Sequence, residues 1–328
     1  MFLHDRVTGE TTLVSQSTSG EQGDDSSFSP VLSANGHVVA FTTNATNLAR
    51  KPTNGAIVVR NLISGRTTIG SFQLDGSAAS AASPSLSANG RYLGFASFMS
   101  TIVAGDTNDA FDVFVRDRRL DVTTRVSVDT AGSQAQGGGS YQPSLSADGH
   151  VVAFASDATT LVADDTNNVR DIFLRDLSSA TTARISVASD GAQANGDSDG
   201  PGIRGGTTFG PDISADGTLV TFDSIASNLV ADDTNTCTYN PGGPSFPEVG
   251  ECPDVFVHDV RDGTTKRMSV ATDGTERNDA STDPSISQDG SAVVFFSAAD
   301  LVSDDTNTCP PFFLGHPGQC PDIYLHRR

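Results

Sequence analysis

Four loops in this chain carry oxygen-bearing side chains at a fixed spacing. They hold Asp106, Asn108 and Asp112; Asp165, Asn167 and Asp171; Asp233, Asn235 and then Asp254; Asp305, Asn307 and then Asp322. An Asp-x-Asn start with a later Asp offers several hard oxygens from one tight turn, the donor set that Ca²⁺ prefers. The glycine and terminal glutamate of an EF-hand loop are absent. The same residues can instead cap the turn by accepting nearby backbone N–H groups, so a metal site and a structural cap both fit the spacing. An equivalent loop, Lys51-Pro-Thr-Asn-Gly55, lacks both aspartates and serves as an internal control. If the triad binds calcium, this loop should not.

Other chemistry is harder to place. His4, His258 and His326 stand where sister segments have Arg116 and Arg175. His37 and His150 follow a tight turn whose other copies continue with Arg91, Thr218 and Ser291, so these histidines read as variants at exposed positions. No Gly-x-Ser-x-Gly elbow occurs, and no glycine-rich phosphate loop joins a strand to a helix. Asp117, Asp176 and Asp259 recur at matching places, which favours a structural role over the paired acids of glycoside cleavage. The non-recurrent acids Glu248 and Glu251 and the unique His316 lie in inserted loops. No catalytic residue is assigned.

These residues ride on an internal repeat. Each copy opens with a proline, at Pro30, Pro84, Pro143, Pro211 and Pro284, spaced by about 55 to 75 residues. A short alternating segment follows, such as Ser144-Leu-Ser146, then an Asn-Gly or Asp-Gly turn suited to a tight hairpin. Next comes an apolar run ending in Phe, from Val38–Phe41 to Ala292–Phe295, whose continuous apolarity predicts a strand buried on both faces. A third strand (Val113–Arg116 and its equivalents) and a fourth (Thr123–Val126 and its equivalents) complete the unit. Radially repeated four-stranded hairpin sheets are the blades of a β-propeller. The expectation is an all-β propeller of four-stranded antiparallel blades, with five blades and six as the alternative. A single domain spans 1–328, closed by placing Thr11–Val14 on the outer edge of the C-terminal blade. That closure makes Phe2–His4 and Ile323–His326 compete for one slot.

The segments Pro-Ser-Leu-Ser-Ala-Asp-Gly-His-Val-Val-Ala-Phe-Ala-Ser (143–156) and Asp-Ile-Phe-Leu-Arg-Asp (171–176) resemble the WD40-like (PD40) repeats of the TolB-type propellers. The resemblance covers almost the whole chain. It implies the propeller fold in a family of periplasmic protein-binding scaffolds and the propeller domains of some peptidases. The Asp-Thr-Asn loops depart from the commoner family pattern, so the resemblance implies no particular partner.

Composition narrows the function classes. A net charge of −20 argues against nucleic acid, whose phosphates need a Lys/Arg surface. No apolar run approaches the roughly 18 residues of a membrane span. The four cysteines fall at the ends of two inserted loops, Cys237 with Cys252 and Cys309 with Cys320. They read as disulfides closing the lobes 237–252 and 309–320, which implies an oxidising compartment, periplasmic or extracellular; zinc is the weaker reading, since there is no CxxC and no nearby histidine except His316. No export signal is visible, because Met1–Arg6 already reads as a third strand. The inserts carry Tyr239, Phe246, Phe312, Phe313 and Leu314, a candidate surface for a protein or carbohydrate partner. The expectation is a non-enzymatic scaffold. A polysaccharide or peptide hydrolase, or a propeller accessory to a catalytic domain, is the alternative.

Overall fold

The computed structural model describes residues 1–199, 210–239, 248–303, 305 and 322–328. Each proline-opened repeat forms one antiparallel sheet. The first contains Ser27–Leu32, Val38–Thr43, Ala56–Asn61 and Thr67–Ile69. The second contains Ala82–Leu86, Tyr92–Ser97, Asp112–Asp117 and Val122–Arg125. The third contains Ser140–Leu145, Val151–Ser156, Asp171–Asp176 and Thr181–Arg184. The fourth contains Asp212–Ile213, Leu219–Ser224, Asp254–Asp259 and Thr264–Arg267. The fifth has three strands among the described residues, Ser281–Ile286, Ala292–Ser297 and Asp322–Arg327. In every sheet the strands lie side by side in chain order, as hairpin connection dictates. These are the sheets of β-propeller blades.

The apolar runs are buried as their composition requires. Val38–Thr43 and Asp112–Asp117 are buried along their whole length. Phe95 faces Phe114, Phe222 faces Phe256, and Phe295 faces Tyr324 across neighbouring strands. Their rings stack with centroids 5.5, 5.9 and 6.2 Å apart. Such pairs add about 0.5–1.5 kcal/mol each beyond the burial of their area.

Two expectations need correction. In the first, second, third and fifth repeats the proline does not open the first strand but sits inside it, at a bulge in the first, second and fifth. Ser29, Ser83, Gln142 and Asp283 precede those prolines with φ between 51° and 54°, and Gly210 precedes Pro211 with φ 74°. The register shifts between Phe28 and Val31, Ala82 and Ser85, and Thr282 and Ser285. A residue without an N–H is tolerated there because a bulge interrupts the ladder. In these repeats the strand therefore begins upstream of where alternation alone placed it.

The second correction concerns the N-terminus. Phe2–His4 pairs with Thr11–Leu13 as a two-stranded sheet of its own, and Thr11–Leu13 does not join the fifth sheet. The turn between them is capped locally: Asp5 Oδ1 accepts the N–H groups of Val7 and Thr8 at 2.7 and 3.0 Å. A hairpin closed by so short a turn forms without ordering a long loop. The third-strand place in the fifth sheet is held by Asp322–Arg327, paired to Ala292–Ser297.

The chain divides into two compact units. One comprises 1–154, 158–161 and 175–182; the other comprises 155–157, 162–174 and 183–328. Within the first, Val38, Ile57, Val59, Leu93, Phe95 and Phe114 share one core. The turns of successive repeats are also bonded, Asn35 N–H to the Ala88 carbonyl and Ala88 N–H to the Ala147 carbonyl. Gly149, at φ +77°, lies so close to Tyr92 that a Cβ would meet that ring at 2.4 Å. Within the second unit, Leu219, Val255, Val257, Met268, Val293 and Phe295 form the corresponding core. No helix among the described residues is long and apolar enough to cross a membrane.

Candidate functional site

The Asp-x-Asn loops lie where the second strand gives way to the third, and a fourth-strand arginine enters each. In the third repeat, Arg184 Nη1 lies 3.1 Å from both Asp165 Oδ1 and Asp171 Oδ2. Arg184 Nη2 donates to the Asp164 carbonyl, and Asn167 Nδ2 donates to Asp171 Oδ2 and the Ala194 carbonyl. Ser186 Oγ donates to Asp171 Oδ1 at 2.5 Å and accepts the Ile172 N–H. The second repeat matches this: Arg125 Nη1 reaches Asp106 and Asp112 at 3.4 and 3.3 Å, and Ser127 holds Asp112. There Asn108 bonds the Ala135 carbonyl.

In the fourth repeat, Arg267 Nη1 contacts Asp233, Asp254 and an additional acid, Glu276. Asn235 donates to Asp254 and the Arg277 carbonyl. The three carboxylates offer oxygens within 4.8 Å of one another, with the guanidinium among them. Burial, then the charge of Asp254, pushes Asp233 up to about 7. Burial raises Asp112, Asp165 and Asp254 as well, against the pull of their arginines and serines.

In the second, third and fourth repeats a guanidinium thus lies among these carboxylates. The first repeat supports that arrangement by what it lacks. By strand register, Ala56 stands where Asp112 does and Ile69 where Arg125 does, so acid and base are missing together. In the fifth repeat, Tyr324 donates its hydroxyl to Asp305, Asp322 opens the third strand, and Asn307 lies outside the described residues.

The third-strand arginines and histidines also prove structural. Arg60 and Arg175 are buried and donate to backbone carbonyls and to Thr67 and Thr182 on the adjacent strand. His258 Nδ1 meets Thr265 Oγ1 at 2.9 Å in the same place. It is buried, not exposed as the repeat comparison implied, and burial lowers its pKa.

The first insert begins as a hairpin. Thr236–Tyr239 pairs with Glu248–Glu251 in a two-stranded sheet separate from the fourth repeat's own strands. Tyr239 therefore stands at the far end of that ladder, opposite Glu248, while Cys237 lies opposite Gly250 near its base. Cys252, one residue past the hairpin, is buried and disulfide-bonded. Phe246, Cys309, Phe312, Phe313, Leu314, His316 and Cys320 lie outside the described residues.

Sequence reasoning missed one cluster. Asp199 and Asp223 stand opposite each other beside the bridge between Ser198 and Ser224, with Asp199 N–H bonded to the Asp223 carbonyl at 2.8 Å. Asp199 is 1% exposed, and its carboxylate oxygens meet no side-chain donor among the described residues. Burial, reinforced by the charges of Asp283 and Asp157, pushes Asp199 up to about 7, while Arg170 and the nearby Gly210 N–H oppose the shift. Burial and the charges of Asp199 and Asp283 raise Asp223 well above the carboxylate range. The signal was present in the repeat. The place of Asp223 is taken by Thr42, Ala96, Ala155 and Phe296 in the other copies.

No protein-family model matches the chain, and no curated protein matches it. Solved structures do. The putative TolB from Agrobacterium tumefaciens superposes with a TM-score of 0.51 at 14% identity, covering 99% of this chain and 83% of that one. TolB from Acinetobacter baumannii gives 0.47 at 16% identity, covering 91% of this chain. This chain spans 56% of the length of that protein. The β-propeller domain of the Trilobed protease from Pyrococcus furiosus gives 0.47 at 11% identity, covering 93% and 69%. The Agrobacterium likeness, together with the four-stranded sheets, shows the β-propeller fold.

Proposed function

We propose that this chain is a non-enzymatic propeller scaffold, periplasmic or extracellular, that binds a protein or glycan partner through inserted loops. One observation carries the reading. The acids and bases of the repeat are spent on internal bonds, whereas the 237–252 insert adds a separate hairpin to the fourth repeat. Rigid sheets that position variable loops are a common basis for recognition. In this reading Cys237 pairs with Cys252 and Cys309 with Cys320, closing each lobe at its base. Each closure contributes about 3 kcal/mol by restricting the unfolded loop. Tyr239, Phe246, Phe312, Phe313 and Leu314 supply the apolar contacts.

The hydrolase alternative has less support. Glu248 and Glu251 belong to one strand of the insert hairpin, and the strand register of that hairpin does not pair them with the acids of the repeats. Two preparations decide between the readings: the full chain, and a variant in which 238–251 and 310–319 are replaced by short Gly-Ser links. Both are applied to a glycan array and to a crosslinked extract of the exported proteome. The scaffold reading expects a partner for the full chain and none for the variant, with the β-sheet circular dichroism unchanged. Equal capture by both preparations overturns the assignment to the lobes.

A further inference from the structure

Most buried acids described above are matched by a base or a hydroxyl. The pair Asp199 and Asp223 is different in three ways. First, its register position is uncharged in the other copies whose pairing is established: Phe28 faces Thr42, Ala82 faces Ala96, and Thr282 faces Phe296. Two carboxylates directly opposite each other repel, so this pairing is unfavourable for the sheet itself. Second, the nearby arginine is committed elsewhere. Arg170 Nε and Nη2 grip the Asp157 carboxylate at 2.8 and 3.1 Å, and Nη1 donates to the Asp199 main-chain carbonyl, not to its side chain. Third, both Asp199 oxygens are buried with no side-chain donor among the described residues. A further acid, Asp283, stands close enough to act on both by charge.

We infer that Asp199 and Asp223 form a binding site for a hard divalent cation of the calcium class. A buried carboxylate with no side-chain donor costs several kcal/mol unless something neutralises it. Facing carboxylates present the oxygens that such ions coordinate. Asp199 is shut off from solvent, which suits a small ion. This assignment is independent of the scaffold reading, and it places the ion away from the Asp-x-Asn loops, where arginine already sits.

The test is calorimetric titration of the chelator-stripped full chain with CaCl₂, then MgCl₂, alongside thermal melts. The expected result is one site per chain and a melting temperature that rises by roughly 5 °C at a hundredfold excess of ion over Kd. Asp223→Ala and Asp199→Asn each abolish the binding heat and the shift. Alanine is the residue the second and third repeats carry at that place, so the first variant keeps a tolerated side chain. No heat and no melting shift with calcium, magnesium or manganese at millimolar concentration overturns the inference. So does binding of unchanged stoichiometry in both variants.

Discussion

Asp171 and Asp199 belong to the same compact unit and are both withdrawn from water, yet their surroundings are opposite. Asp171 accepts from Arg184, Ser186 and Asn167, each supplied by the repeat. Asp199 meets no side-chain donor among the described residues and faces another acid. The difference separates two uses of one residue type. An acid that recurs comes with its partners and holds a loop to a strand. An acid found once, where its sisters are uncharged, has no such recurrent partner among the described residues and must be neutralised in another way.

The largest test of this contrast is Arg184→Met. Removing the base leaves Asp165 and Asp171 buried together, and the cost should be about 3–5 kcal/mol in urea unfolding. The triple variant Arg184→Met, Asp165→Asn and Asp171→Asn should recover most of that loss, because the first repeat already dispenses with both charges. A triple variant as unstable as the single one would break the structural reading of these loops.

Asp223→Ala should move stability the other way. Without added cations it removes a half-buried acid that repels Asp199 and should gain about 1–2 kcal/mol. A loss of that size would mean that Asp223 already has a stabilising partner.

Proton linkage sharpens the same point. Asp199 is raised from 3.8 to about 7, so between those values the folded chain holds a proton that the unfolded chain has released. Its contribution is complete below 3.8 and is lost as pH rises through about 7. In chelator, wild type should therefore fall in stability relative to Asp199→Asn across that interval, and calcium should remove the fall. The pair formed by half-buried Arg91 with Asp117 at the blade surface gives the smallest effect, with the opposite sign. The Arg91 hydrogen bond holds Asp117 down to about 2, so its contribution is present above 3.8 and lost as pH falls toward 2. Arg91→Ala should cost less than about 1 kcal/mol at neutral pH, read from urea midpoints.

Much of the fold was legible because the repeat shows each strand several times. Phe95, Phe154 and Phe222 mark buried second strands in any copy, and the Asp-Gly turns mark hairpins. The bulge beside the proline was not legible, because alternation cannot show which residue will take a positive φ. The N-terminal hairpin was misplaced because strand identity says nothing about which neighbour wins. The metal reading of the Asp-x-Asn loops considered one strand connection at a time. Arg125, Arg184 and Arg267 lie 13 residues beyond the last aspartate of each motif, and only the register of the third and fourth strands brings them in. Asp199 and Asp223 could have been found by asking which acids do not recur, since 24 residues of chain separate partners that stand opposite each other.

The account rests on where cations sit, and anomalous diffraction from crystals soaked in MnCl₂ measures that directly. The prediction is a peak between Asp199 and Asp223, with none at Arg125, Arg184 or Arg267 and those guanidinium groups in place. A peak in an Asp-x-Asn loop with its arginine displaced, or no peak beside Asp199 at saturating manganese, would contradict it.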